Sequence, residues 1–308
     1  MVRKVIAASL LFFCLTGGCA RAQPFFHSVS LPGSWTGSVV PALQRQEVFA
    51  PLRYRVIVIP GSGCGGLAPI ADRYFSGLLH ADVLVLHKPG TDIHTGLTPS
   101  NCSADYVKSD ALSIWLDHAR AALRFDTVTR NRTKLVPHVL VGISEGAEIV
   151  AYLAEDVPNL VGVILISGSG LDPVVAGEMQ AKRIGEIAAW KSIEDAQLSN
   201  RPDEDQIQGR TLRYWRDMWD WRVQQPLIDA NWPLVQIWGD ADTSVPPEAF
   251  ILFSKNAQNR KAQWCSVQLN GADHGLQSQR KDGIQKSWDL LENWARQPSS
   301  HLCDFIPR

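Results

Sequence analysis

One short stretch, Val139-Leu140-Val141-Gly142-Ile143-Ser144-Glu145-Gly146-Ala147, limits what this chain can fold into more than any other. An apolar run stops at Gly-x-Ser-x-Gly and passes at once into a helical pattern from Ala147 to Leu153. That order reads as strand, tight turn and helix, with a serine at the tip of the turn. So sharp a turn puts the serine in a strained backbone conformation, and flanking residues without Cβ let strand and helix pass close together. The hydroxyl is then held clear of the backbone, open to a base on one side and a substrate on the other.

Around this stretch the chain alternates strands with helices. Nearly all-apolar runs are predicted as buried strands at Arg53–Ile59, Ala81–His87, His138–Ile143, Leu160–Ile166 and Leu234–Trp238, with a last strand containing Val267–Leu269. One or two short edge strands are expected between His27 and Glu47, a region that carries Pro32, Gly33, Gly37 and Pro41. Helical patterns follow the Pro60–Gly66 loop through Leu79, run from about Ala104 to Arg124, and close the chain from Gly283 to Trp294. Strands without a polar face require cover on both sides, so the expected class is α/β with a mostly parallel central sheet flanked by helices. Of 308 residues 45% are hydrophobic, enough for one sizeable core, and residues 23–308 read as a single domain.

One interval breaks the alternation. Between Ser167 and Asn231 lie about sixty residues without a predicted strand, too long for an ordinary connection. Helical patterns over Val175–Trp190 and Gly209–Val223 suggest an inserted helical cap, about residues 168–231, over the strand ends. Tyr214, Trp215, Met218, Trp219 and Trp221 stand there among Arg210, Arg213, Arg216 and Arg222. The aromatics read either as the core face of an amphipathic helix or, for Tyr214, Trp215 and Trp219, as the lining of a substrate pocket with an arginine available to an acidic group.

The N-terminus carries a targeting signal. Arg3 and Lys4 precede the apolar run Val5–Leu15, and Ala20-Arg21-Ala22 offers a cleavage site before Gln23, so residues 1–22 are expected to be a signal peptide and the protein to be exported, periplasmic or secreted. A second reading takes Thr16-Gly17-Gly18-Cys19 as a lipoprotein signal, with Cys19 carrying the lipid. The apolar run is too short for a stable membrane span. Removal of residues 1–22 leaves Cys64, Cys102, Cys265 and Cys303, an even number that points to two disulfides with three pairings open. Cys64–Cys102 would tie two loops on one side of the sheet, and Cys265–Cys303 would pin the C-terminal tail. No spacing suits a metal, and a net charge of −1 gives no electrostatic reason to expect nucleic acid as a partner.

A serine hydroxyl needs a base within hydrogen-bond reach, and the base needs a third group to fix its tautomer. Both occur at strand ends. Leu234–Trp238 runs into Gly239-Asp240-Ala241-Asp242-Thr243-Ser244-Val245-Pro246, and the last strand runs into Gly271-Ala272-Asp273-His274-Gly275. In these motifs and their order, serine then acid then histidine, the sequence resembles the α/β-hydrolase superfamily over essentially all of its mature length. The family's G-x-x-D-x-x-V-P pattern is matched by Gly239, Asp242, Val245 and Pro246, and its G-x-x-H turn by Gly271 and His274. The elbow departs from many members in having Ile143 where they have histidine. The resemblance implies Ser144 as nucleophile, His274 as general base and then acid, and Asp242 as its orienting partner. Asp240 and Asp172 are the competing acids, while His87, His94, His118 and His138 lack a paired acid motif.

Two backbone N–H groups are expected to form the oxyanion hole, one from Glu145 and the other from Ser62 or Gly63 in the loop Pro60-Gly61-Ser62-Gly63, where the family commonly has His-Gly-x. Gly61 to Gly66 also satisfies G-x-G-x-x-G, but the following strand ends in Leu86-His87-Lys88-Pro89 with no acidic residue for a ribose, which argues against a dinucleotide site. The sequence thus predicts an exported serine hydrolase that needs no cofactor or metal and acts on a small-molecule or peptide substrate. Carboxylic ester hydrolysis comes first. The Gly-x-Ser-Glu-Gly form also resembles dienelactone-hydrolase-like and prolyl-oligopeptidase-like members, so a peptidase or amidase is the alternative, ahead of a thioesterase, an acyltransferase or a non-catalytic binding protein.

Overall fold

A computed structural model describes residues 25–95, 102–130, 136–279, 281–298 and 300–305. The expected signal peptide, residues 1–22, and Cys19 lie outside the described residues.

Two antiparallel strands open the chain, β1 (His27–Pro32) and β2 (Val39–Arg45). Next come β3 (Tyr54–Ile59), the single-turn helix α1 (Ala71–Tyr74) and β4 (Ala81–Leu86). After α2 (Ala104–Ser109) and α3 (Leu112–Thr129) the chain enters β5 (His138–Ile143), turns through Ser144–Gly146, and continues as α4 (Ala147–Leu153) and β6 (Leu160–Ile166). A long inserted stretch holds α5 (Pro173–Ile184), α6 (Ile187–Gln197), a hairpin of β7 (Gln206–Ile207) and β8 (Arg210–Thr211), α7 (Leu212–Trp219) and α8 (Gln224–Asp229). The chain then runs through β9 (Leu234–Gly239), α9 (Pro247–Asn256), β10 (Trp264–Leu269) and α10 (Gly283–Trp294).

Eight strands form one sheet in the order β1-β2-β4-β3-β5-β6-β9-β10. Every pairing from β4 to β10 is parallel, and β2, antiparallel to both β1 and β4, is the strand that runs against the rest. Every residue of β3, β4 and β9 is buried, because helices cover both faces as apolar strands require. On one face Ile57, Leu84 and Leu140 pack with α3, α4 and the inserted stretch. On the other, Val56, Val83 and Val139 pack with Phe75 and Trp288.

Three expectations change in detail. The long helix over Ala104–Arg124 is two helices, because Asp110 and Ala111 are extended. The Asp110 carboxylate is drawn to Lys88 and Arg210, contacts that helical periodicity cannot see. The helix over Val175–Trp190 is likewise two, ended by Gly185 in the left-handed region at φ +77°. The stretch expected to lack strands contains the β7–β8 hairpin, whose turn residues Gln208 and Gly209 both have positive φ, as a two-residue hairpin demands.

The inserted stretch is anchored to the face of the sheet that α3 and α4 cover. Asp217 accepts the Ser113 N–H at the start of α3 (2.8 Å), and the Trp221 indole N–H donates to the Glu148 carbonyl of α4 (2.7 Å). Both disulfides are present, Cys64–Cys102 and Cys265–Cys303. Among the described residues no helix is long and apolar enough to cross a membrane.

Candidate active site

The turn after β5 is as tight as its sequence implies. Ser144 sits at φ +52°, a conformation that costs a non-glycine residue about 1–3 kcal/mol and persists only where its surroundings hold it. A Cβ on Gly146 would lie 2.1 Å from the Ile59 carbonyl oxygen, and one on Gly142 would lie 2.8 Å from the Ala147 Cα. Neither position has room for a side chain.

Three strand ends converge here. Ser144 Oγ, past β5, lies 3.0 Å from His274 Nε2, and His274 Nδ1 lies 2.8 Å from Asp242 Oδ2, past β9. Asp242 is 1% exposed, and its Oδ1 accepts the backbone N–H groups of Ser244 and Val245. With the carboxylate so fixed, Nδ1 carries the proton and Nε2 faces the serine as acceptor. Such a line can take a proton from the hydroxyl and return it to a leaving group.

The competing residues are engaged elsewhere. Asp240 accepts the Gly271 N–H at 2.6 Å and the Gln268 amide at 3.1 Å, which shapes the turn beneath His274. Asp172 accepts the Val223 and Gln224 N–H groups at the start of α8. His87 is buried, with Nε2 accepting the Leu67 N–H, and burial pushes its pKa down to about 4. His118 accepts the Ser34 N–H, His138 is buried in β5, and His94 is exposed in a turn.

The loop after β3 passes directly beside Ser144, for a Cβ on Gly61 would lie 3.2 Å from the Ser144 Cβ. Ser62 is exposed, and Gly63 beside it is half-buried. Cys64, one residue further, is bridged to Cys102 just before α2. Between this loop, α2 and the β7–β8 hairpin lies a cavity of about 490 Å³ lined by Ser62, Gly63, Tyr106, Asp110, Arg210 and Thr211 among others.

Of the aromatics expected at a pocket, Tyr214 is buried beneath Arg210, while Trp215 and Trp219 are half-buried and pack with Trp190 on the core cluster. The Trp215 indole N–H donates to the Ile207 carbonyl. Each nearby arginine is already paired: Arg210 with Asp110 and Glu145, Arg213 with Glu204, Arg216 with Asp203, and Arg222 with the Trp219 carbonyl.

Several supporting residues gave no local signal in the sequence. The Ser167 hydroxyl, past β6, donates to the His274 carbonyl at 2.7 Å, and the Arg183 guanidinium of α5 donates to the Asp242 carbonyl at 2.8 Å. The Glu145 side chain is buried between Lys88 and Arg210. Burial alone would raise its carboxyl, but the two cations outweigh it and hold the carboxyl at about 2. Among the described residues no group of three or more His, Cys, Asp or Glu is arranged to hold a metal.

Solved structures share this arrangement of elements. Est1E from Butyrivibrio proteoclasticus superposes with a TM-score of 0.61 over 89% of this chain and 99% of its own, at 16% identity. The esterase domain of a Rhodothermus marinus protein gives 0.55 over 88% and 98%, at 18% identity. The acylaminoacyl peptidase of Pyrococcus horikoshii gives 0.61 over 89% of this chain but 42% of its own, at 8% identity. This is the α/β-hydrolase fold. No protein-family model and no curated protein matches the chain. The α/β-hydrolase sheet here carries Ser144 after β5, Asp242 after β9 and His274 after β10, so the order of the three groups along the chain follows the order of their strands in the sheet.

Proposed function

We propose that the protein is an exported serine hydrolase that cleaves carboxylic esters through an acyl-enzyme on Ser144. The observation that carries this reading is the hydrogen-bonded line Ser144–His274–Asp242 at the end of a strained elbow. In the proposed reaction His274 Nε2 takes the Ser144 proton as Oγ attacks the ester carbonyl carbon. His274 then gives that proton to the departing alkoxide, and Asp242 steadies the imidazolium between the two events. Water, deprotonated by the same nitrogen, attacks the acyl carbon; the bond from that carbon to Ser144 Oγ then breaks, Oγ takes the proton back from His274, and the acid leaves. The negative oxygen of each tetrahedral intermediate is assigned to the N–H groups of Glu145 and Ser62. Ser62 is the first choice for the second donor and Gly63 the alternative. The stretch 168–231 acts as the cap that bounds the substrate site.

Ester is placed ahead of amide on the likeness to the two esterase structures, matched over 99% and 98% of their length, while the match to the acylaminoacyl peptidase covers 42% of that chain. The peptidase likeness keeps amide cleavage as the second reading. Parallel turnover of p-nitrophenyl acyl esters and N-acyl-aminoacyl p-nitroanilides separates them. Efficient cleavage of the anilides with slow turnover of the esters would reverse the assignment. Two disulfides support an oxidising compartment and hence export. Mass spectrometry of protein from the native host tests it, with Gln23 expected as the first residue and an intact Met1 counting against it.

A further inference from the structure

Arg210 belongs to the hairpin of the inserted stretch, yet its guanidinium is seated on the core. Nε and Nη2 donate to the two carboxylate oxygens of Asp110 at 2.7 and 2.8 Å, and Nη1 donates to Glu145 Oε1 at 3.1 Å. The guanidinium carbon lies 3.3 Å from the centroid of the Tyr214 ring. Lys88, two residues past β4, donates to the other Glu145 oxygen and to Asp110 Oδ1, with the Trp115 ring centroid 4.7 Å from its ammonium. Two cations and two carboxylates therefore cancel in a site where the side chains of Lys88, Asp110 and Glu145 are 3, 4 and 8% exposed.

A buried ionic cluster is weak evidence for stability, since desolvation offsets much of the attraction. Its position points to another use. Glu145 directly follows Ser144, and its backbone N–H belongs to the first turn of a helix, where amides have no partner within the helix. Its carboxylate is gripped from three places: Lys88 after β4, Arg210 in β8, and the Tyr214 hydroxyl in α7. A side chain fixed at three points fixes the peptide that carries it. The same grip cancels a negative charge that would otherwise oppose the charge developing on the substrate oxygen.

We infer that Arg210 is a positioning residue for the oxyanion hole: seated with its stretch on the core, it clamps Glu145 so that the N–H beside the nucleophile is aimed before substrate arrives. The inference rests on the serine-hydrolase reading, and it makes the cap part of the catalytic machinery as well as a lid on it. A protein with Ser144, His274 and Asp242 intact but Arg210 unseated would bind substrate and turn it over slowly.

The test compares Arg210→Ala, Arg210→Lys and Tyr214→Phe with wild type, using Arg213→Ala as a control in the same stretch that breaks surface pairs with Glu204 and Asp203 and touches neither Glu145 nor Asp110. Arg210→Ala is expected to lower kcat on a p-nitrophenyl ester by about ten- to a hundredfold, with KM changed by less than about twofold. The inhibition constant of an alkyl boronic acid, which forms a tetrahedral adduct on the serine, should rise by the same factor as kcat/KM falls. Arg210→Lys should recover part of the loss, Tyr214→Phe should cost a few-fold, and Arg213→Ala should match wild type. A folded Arg210→Ala enzyme with unchanged kcat, or one that loses only KM, overturns the inference. If Arg210→Ala does not fold, Tyr214→Phe decides by the same split between kcat and KM.

Amide hydrogen exchange over residues 143–148 supplies a readout independent of turnover. The clamp predicts faster exchange there in Arg210→Ala, and unchanged exchange in the folded variant refutes it. A wild-type protein that neither turns over esters nor labels at Ser144 would instead refute the serine-hydrolase reading, and exchange would still decide whether the clamp exists.

Discussion

The Asp242 carboxylate faces His274 with one oxygen, Oδ2 at 2.8 Å from Nδ1, and the backbone with the other, which accepts the N–H groups of Ser244 and Val245. The imidazole is thereby oriented by a group that cannot rotate away from it. Asp242→Asn is expected to present an amide where a carboxylate is required, invert the tautomer preference and lower kcat by roughly 10⁴-fold with KM little changed. Asp240→Asn, which alters only the turn, should lose no more than a few-fold. Steady-state kinetics on one ester checks both, and the reverse pattern would make Asp240 the acid.

Gly146 has no space for a methyl group. Because its Cβ would meet the Ile59 carbonyl at 2.1 Å, Gly146→Ala must displace either the elbow or the loop that follows β3. The expected cost is about 1–3 kcal/mol in urea unfolding, together with a large loss of turnover, since both displaced segments border the nucleophile. A variant as stable and active as wild type would show that the strand and helix do not pass as closely as described.

The two disulfides span equal lengths of chain, 38 residues each, so loop-closure entropy gives each about 4 kcal/mol. Their effects on catalysis should differ. Cys64 follows the loop that carries Ser62, while Cys265–Cys303 joins β10 to the C-terminal turn. Cys64→Ser/Cys102→Ser should therefore lower both melting temperature and kcat, and Cys265→Ser/Cys303→Ser the melting temperature alone. Equal losses of kcat at a temperature where both variants are folded would deny the loop its special role.

Acid should destabilise the protein before its carboxylates titrate. His87 is 1% exposed and burial lowers its pKa to about 4; His138 is lowered to about 4 as well, by burial first and then by Arg55. Below about 6.5 the unfolded chain binds protons at these sites and the folded chain does not. Their contribution is thus complete above pH 6.5 and is lost as pH falls toward 4, by up to roughly 3 kcal/mol for His87. Urea midpoints between pH 7.5 and 4 test this, and His87→Gln, which keeps an acceptor for the Leu67 N–H, should flatten the decline. Constant stability from pH 6.5 to 5 would contradict it.

Much of this site could be read before any coordinates because its signals are local. Ser144, Asp242 and His274 each stand in a short motif beyond the end of a strand, and β6 and α10 have the bounds their residue patterns imply. What escaped depends on partners far away in the chain. The break at Asp110 is set by Lys88, 22 residues back, and Arg210, 100 residues on. The Ser167 hydroxyl meets the His274 carbonyl across 107 residues, and neither has a periodicity that announces the other. The partners of the Glu145 side chain were hidden in the same way: its backbone position is fixed by the elbow motif, but Lys88 comes from the segment after β4 and Arg210 from the hairpin. The break at Gly185 is different, since a glycine inside a helical pattern is itself a stop signal.

The most direct test of the account is to treat the folded protein with a fluorophosphonate probe and map the adduct, with Ser144→Ala and His274→Ala as comparisons. One covalent adduct on Ser144 is expected, lost in Ser144→Ala and formed far more slowly in His274→Ala, where the hydroxyl keeps its place but lacks its base. Folded wild-type protein that forms no adduct, or forms it on another serine, would contradict it.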